Sequence, residues 1–301
     1  MNVVMKKILS VLTCALLTGI VFSQTSTQNW PNSLLWRVTG KDLKKPTYIF
    51  GTMHILCSDD AGLSNDLKTV ISNCDEIYFE IDMSDMMGMM NSMKFMRMND
   101  DKRLSDLLSP EDYAKVKNYF AKHSSMLPFS MLERFKPMLI SSLMEEDDLP
   151  CKSTNGMELV IMKEAHEKNK KINGLETAEF QASLFDSIPY KDQAEDLIKY
   201  IDSSDDYKKM TDTLAEAYKA QDLNKIELLT SKETGTTSNF MDLLLYGRNR
   251  NWAHKLKTLM PEKSLLIAVG AGHLPGEQGI LNLLKKNGYT VSPVMLMGKE
   301  M

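Results

Sequence analysis

Two histidines in the chain follow short apolar runs at the same spacing. "IFGTMHIL" (49–56) places His54 three residues after Gly51, and "IAVGAGHLPG" (267–276) places His273 three residues after Gly270. Acids close two further runs: Glu80 and Asp82 in "EIYFEID", and Glu176 in "KINGLET". Imidazole and carboxylate are ligands for Zn, Mn, Co or Fe, and two histidines with one or two acids and an open position make a hydrolytic site. The same groups without a metal serve as a general base and its orienting partner. Glycine before each histidine permits a tight turn and close approach of backbone to a ligand, a use that extends from Gly51 and Gly270 to Gly272. Either histidine alone is more simply a capping or core residue. The repeated Gly-x-x-His spacing is what suggests one site built from distant pieces of chain.

The elements that must position these residues are short strands separated by long helices. "LLWRV" and "TYIFGT" flank the polar stretch from Thr39 to Pro46 and read as an N-terminal hairpin. "EIYFEIDM", "KINGLET", "LLIAVGAG" and "YTVSPVML" are apolar and bounded by Gly, Asn, Asp or Lys, as expected of strands covered on both faces of a mostly parallel sheet. Ser109 followed by Pro110, Glu111 and Asp112 marks a helix start, and "MELVIMKEAHEKNK" sets Leu159, Met162 and Ala165 at helical spacing. The expectation is a single α/β domain over 34–301, with a mostly parallel central sheet and a large helical insertion at about 84–170. In an open sheet of this kind ligands collect at the carboxyl ends of the strands. His54, Glu80, Asp82, Glu176 and His273 all fall there.

Composition limits the classes of function. The 301 residues are 43% hydrophobic, enough for a sizeable core, and the net charge of −4 gives no electrostatic reason to hold nucleic acid. Residues 1–23 carry Lys6 and Lys7, then an apolar stretch from Ile8 to Phe22 that is short for a span and ends in small residues. That pattern predicts a secretory signal peptide cleaved after Ser23, a tail at 24–33, no stable membrane span after cleavage, and a periplasmic or extracellular protein. The rest holds Cys57, Cys74 and Cys151. One pair can form a disulfide in an oxidising compartment, and the sequence does not choose it. Oligomeric state is likewise left open.

The blocks "GTMH", "YFEID", "INGLET", "GRNRNWA" and "AVGAGHLPG", in this order, resemble the TraB/PrgY/GumN family, related to the Tiki proteins and similar in proposed fold to the erythromycin-esterase and ChaN-like group. The resemblance runs from about Leu34 to the C-terminus. It implies a metal-dependent hydrolase, peptidase-like, acting on a peptide or protein with a divalent ion (Mn, Co or Zn). Position by position, it implies His54, Glu80 and His273 as metal ligands, Glu176 as a further ligand or general base, and Arg248 as the group that neutralises charge on a carbonyl oxygen or binds a carboxylate. Gly51, Gly270 and Gly272 support the histidines, and Asp82, two residues after Glu80 and on the same face, would orient it. Arg250 is the lesser arginine, and Gly247 stands where relatives often carry a polar residue. Gly156 to Glu158 match a family block with no assigned chemistry.

A second reading uses the same cleft without turnover: a binding protein that sequesters a peptide or a haem-like ligand. The methionines from Met83 to Met98 read as a flexible apolar face over the cleft, with Met86, Met90 and Met93 on one stripe, rather than as Cu(I) ligands. His123, His166 and His254 lie in helical patterns among Lys and Glu and read as solvated.

Overall fold

The computed structural model describes residues 29–123, 127–147, 149, 151, 153–231 and 240–294. The signal-peptide expectation falls on residues outside these. No helix among the described residues is long and apolar enough to cross a membrane.

Six strands form one sheet: β1 (Leu35–Thr39), β2 (Thr47–Thr52), β3 (Glu76–Phe79), β4 (Lys171–Gly174), β5 (Leu265–Gly270) and β6 (Thr290–Val294), in the order β4-β3-β5-β2-β1-β6. The first four strands of that order run parallel, and β1 is antiparallel to both β2 and β6. The mixed α/β fold and its hairpin therefore match the sequence expectation. Register fixes where the strands end: Thr52 pairs with Gly270, and Phe79 pairs with both Ala268 and Gly174. The four parallel strands thus end within two residues of one another, β2 and β5 the further out. Every residue of β3 and five of six in β5 are buried, as strands covered on both faces must be.

The helices used below are α1 (Asn65–Asn73), α2 (Met86–Ser92), α3 (Pro110–Lys122), α4 (Pro137–Asp147), α5 (Met157–Glu167), α6 (Ala178–Leu184), α7 (Tyr190–Asp202), α8 (Ser204–Lys219), α9 (Leu223–Ser231), α10 (Gly247–Leu259) and α11 (Ile280–Lys286). Helix α3 starts as its sequence predicts, with the Ser109 side chain accepting from the Asp112 N–H and Pro110 in the first turn. Helix α5 differs from expectation. Its buried stripe is Met157, Ile161 and Ala165, spaced by four, with Met162 half-buried against the same core, while Leu159 is exposed.

The segment between β3 and β4 is helical and builds a second core, with Leu104, Val116, Leu132, Phe135, Ile140 and Met144 packed on Leu197 and Tyr200 of α7. Buried Lys136 ties this layer to the residues after β4, its Nζ 2.7 Å from an Asp186 carboxylate oxygen and donating to the Ala182 carbonyl at 2.8 Å. Met86, Met87, Met90 and Met93 are exposed, and α2 packs against α6.

Candidate functional site at the carboxyl edge of the sheet

Strand ends this close together put one polar side chain beside the next. Following the sheet from β4 to β2, the chain leaves each strand through Glu176, Glu80, His273 and His54. The meeting point is Gly270. A Cβ built there would lie 3.3 Å from Glu80 Oε1, 3.6 Å from His273 Cδ2 and 3.7 Å from His54 Nε2. A larger residue would fill the space on which the three side chains converge. Gly51 is close-packed for a different reason: a Cβ there would stand 3.1 Å from Ala271 and Leu274, so a larger residue would press on the turn that carries His273. Gly272 is under no such constraint, since its nearest neighbour would be Thr230 at 3.6 Å.

Arg248, on the first turn of α10, is the hub. Its Nε donates to Glu176 Oε1 at 2.9 Å, and its NH2 donates at 2.5 Å to both Glu80 Oε2 and Glu176 Oε1. NH1 donates to the Leu244 carbonyl at 2.9 Å and lies 3.2 Å from His273 Nε2. Arg248 is 8% exposed and Glu80 7%, and breaking such a pair by removing one partner typically costs about 3–5 kcal/mol. Gln181 on α6 donates to Glu80 Oε2 (2.9 Å) and Glu176 Oε1 (3.2 Å), and Trp252 Nε1 donates to Glu176 Oε2 (3.2 Å). The indole also supports the guanidinium, 4.7 Å from its ring centroid, and the His273 ring at 4.5 Å.

Each histidine is fixed from its outer nitrogen. Asn249 donates through Nδ2 to the His273 and Gln278 carbonyls, which leaves its Oδ1 to accept. His273 Nδ1 lies 2.6 Å from that oxygen, so Nδ1 carries the proton and the Nε2 lone pair faces Arg248 and Glu80 Oε1, the latter at 3.7 Å. His54 Nδ1 lies 2.8 Å from Glu158 Oε1. Glu158 is held there by backbone: Met157 N–H donates to the Met53 carbonyl, Asn155 N–H to Leu56, and Ser58 N–H to Ser153. Gly156 is obligatory in this strap, because a Cβ would stand 2.5 Å from the His54 carbonyl oxygen. The Cys57–Cys151 disulfide locks the same two segments, and Cys74 is free and buried.

These environments set the charges. Burial of the inner edge opposes charge on His54, but Glu158, with help from Glu80, raises its pKa to about 9. His273 goes the other way: burial outweighs the attraction of Glu80, and the value falls to about 3. Burial alone would raise Glu80; His273, Arg248, His54 and the Gly270 N–H together hold it at about 2. Because His273 is neutral above pH 3, Arg248 and His54 carry that effect near neutrality. Glu176 is pushed up by burial, against the pull of Arg248.

Of the side chains singled out by sequence, His54, Glu80, Glu176, Arg248 and His273 are together. Asp82 is not: its Oδ1 accepts from Ser84 N (2.9 Å) and Ser84 Oγ (2.5 Å), capping the turn after β3 instead of orienting Glu80. Arg250 pairs with Asp242 at the surface. Gly247 is glycine because a Cβ would meet the Asp242 carbonyl at 2.8 Å, inside a π-helical turn at Asp242–Tyr246. Sequence reasoning missed Glu158, Gln181, Asn249 and Trp252. Three of these lay inside blocks already quoted, Glu158 after Gly156 and Asn249 and Trp252 beside Arg248.

Among the described residues, no group of three or more His, Cys, Asp or Glu side chains stands ready-made around a metal position. The donor chemistry nevertheless fits one. Both imidazoles have Nδ1 against an oxygen and Nε2 turned inward, the outer arrangement of metal-bound histidines, with Glu80 Oε1 between them. What stands in the way is Arg248, whose NH1 and NH2 engage His273 Nε2 and Glu80 Oε2.

Fold and site together describe an α/β protein with a His/Glu/Arg cluster at the carboxyl edge of a mostly parallel sheet. The TraB/PrgY/gumN family profile matches residues 34–293, and the chain belongs to that family. It is 25% identical to a protein named metalloprotease TIKI homolog from Amphimedon queenslandica, over 90% of this chain and 62% of that one. It is 22% identical to metalloprotease TIKI2 of Danio rerio, over 86% of this chain and 60% of the other. An uncharacterized protein YbaP from Shigella flexneri is 22% identical over 79% of this chain and 88% of its own length. The chain spans about three fifths of the metalloprotease-named relatives it matches. No solved structure matches it.

Proposed function

We propose that the protein is a secreted or periplasmic metal-dependent hydrolase of peptide bonds. The observation that carries this reading is the convergence of His54 Nε2, Glu80 Oε1 and the His273 ring on the space above Gly270, from strands widely separated in sequence. The metalloprotease names of several relatives favour the same chemistry. His54, Glu80 and His273 would hold the ion, with Mn, Co or Zn suited to this donor set. The chemistry supplied by an ion held there would be Lewis-acid polarisation of a carbonyl and a bound water of lowered pKa.

The remaining steps belong to the chain. Asn249 keeps the His273 proton on Nδ1, so Nε2 is free to donate its lone pair once Arg248 NH1 turns away. Arg248 remains anchored through Nε on Glu176, which leaves its terminal nitrogens to meet negative charge developing on the substrate oxygen. Glu176, raised by burial, accepts the proton of the attacking water. Glu158 draws His54 toward the site through Nδ1.

The test is cleavage of a peptide library with Mn or Co added and with the metal chelated. The reading predicts metal-dependent cleavage that falls at least a hundredfold in His54→Ala and in His273→Ala. Cleavage that persists in either variant would remove the site assignment. Stoichiometric peptide binding without cleavage, unchanged by both substitutions, would favour sequestration.

A further inference from the structure

A cleft of about 290 Å³ adjoins the cluster, walled by the turn that carries His273, by α9 and by the π-helical turn before α10. It shares its walls with the site. Gly272 lines it and is followed by His273, while Leu245 and Tyr246 line it and neighbouring Leu244 presents its carbonyl to Arg248 NH1. The cleft and the cluster thus share the turn that carries His273 and the turn that carries Leu244.

The chemistry of the walls is specific. Met241, Leu245 and Pro275 are apolar. Glu227 has neither a hydrogen bond nor an ion pair among the described residues, and burial raises its pKa. Its Oε1 would lie only 2.8 Å from a Cβ on Gly276, so the loop gives the carboxylate room in the wall. Other charges at the rim are matched: Glu277 by Lys286 at 3.4 Å, and Arg250 by Asp242 at 2.8 Å with a further bond to Gln278. Among the described residues, the charge left without a partner at the cleft is negative, and the other surface there suits a hydrocarbon stem.

We infer that this cleft is a substrate subsite that takes a lysine or arginine side chain of a peptide, with Glu227 pairing its cation and Met241, Leu245 and Pro275 covering its stem. The assignment of a peptide rests on the proposed function; the affinity for a cation on an apolar stem does not.

Two probes keep these apart. Agmatine, a guanidinium on a four-carbon stem that ends in an ammonium, is titrated by heteronuclear NMR into the wild type, Glu227→Gln and Glu227→Lys, and blocked pentapeptides with central Arg, Leu or Glu are compared with the same three proteins. The inference predicts that agmatine shifts resonances of the π-helical turn and of 272–278. It also predicts that Glu227→Gln weakens agmatine at least tenfold. The Arg peptide should bind at least tenfold tighter than the Glu peptide, with the order reversed in Glu227→Lys. Agmatine binding unaffected by Glu227→Gln, binding elsewhere, or no binding by either probe would overturn it. Glu227-dependent binding without any hydrolysis would sink the enzymatic reading and leave the subsite standing.

Discussion

His54 and His273 share a residue type and a Gly-x-x-His spacing, yet their partners drive them apart: Glu158 holds one protonated near neutrality, and burial with Asn249 holds the other neutral. The sign of the consequence follows for each. With its folded pKa raised above 6.5, His54 contributes stability that is complete below pH 6.5 and fades as pH rises through 9. Its side chain is 63% exposed, so solvent screens much of that effect. With its pKa lowered to about 3, His273 contributes stability above pH 6.5 that is lost as pH falls toward 3. Metal uptake reads the difference more sharply, because a ligating imidazole must be neutral. Calorimetric titration with Mn at pH 6.5, 7.5 and 8.5 should show affinity rising by up to about tenfold per pH unit with release of one proton. Glu158→Gln should shift the plateau down toward pH 6.5. Affinity independent of pH, with no proton released, would show that His54 is not displaced from its proton by the ion.

At the scale of elements, the site is made by strand ends but aligned by what crosses between them. The Cys57–Cys151 disulfide, closing 94 residues of chain, holds the loop after β2 against the approach to α5, and so His54 against Glu158. Chain-entropy arguments put a loop of that length at about 3–5 kcal/mol of stability. The Cys57→Ser/Cys151→Ser double variant should lose roughly that much in denaturant unfolding. It should also lose the pKa of about 9 at His54, read by NMR, as the strap loosens. A variant with native His54 titration would show that the backbone bonds of 153–157 suffice alone. The strands were legible because β-branched and aromatic runs bounded by polar residues have few other uses, and their carboxyl ends located His54, Glu80, Glu176 and His273. The face of α5 was not, since Leu159, Met162 and Ala165 satisfy helical spacing as well as Met157, Ile161 and Ala165 do. Only the sheet beneath it decides between them.

The whole molecule brings together residues that no local pattern links. Glu80 and Arg248 are 168 positions apart and Glu80 and Gly270 are 190 apart, and both pairs are in hydrogen-bond contact. The residue types of the cluster could be read from sequence, but not its internal bonding. Arg248 was expected to face a carbonyl oxygen or a carboxylate yet is bonded to Glu80 and Glu176, Asp82 shared a face with Glu80 yet turned to Ser84, and Gln181 came from a helix with no chemical signature. Each outcome depends on which helix the helical layer presses against the sheet edge. The central claim is that the two Gly-x-x-His histidines serve one centre, and Mn binding measured by electron paramagnetic resonance tests it directly. One ion should bind per chain in the wild type, with affinity reduced at least tenfold in His54→Ala and equally in His273→Ala. Unaltered binding of one ion in both folded variants would contradict it.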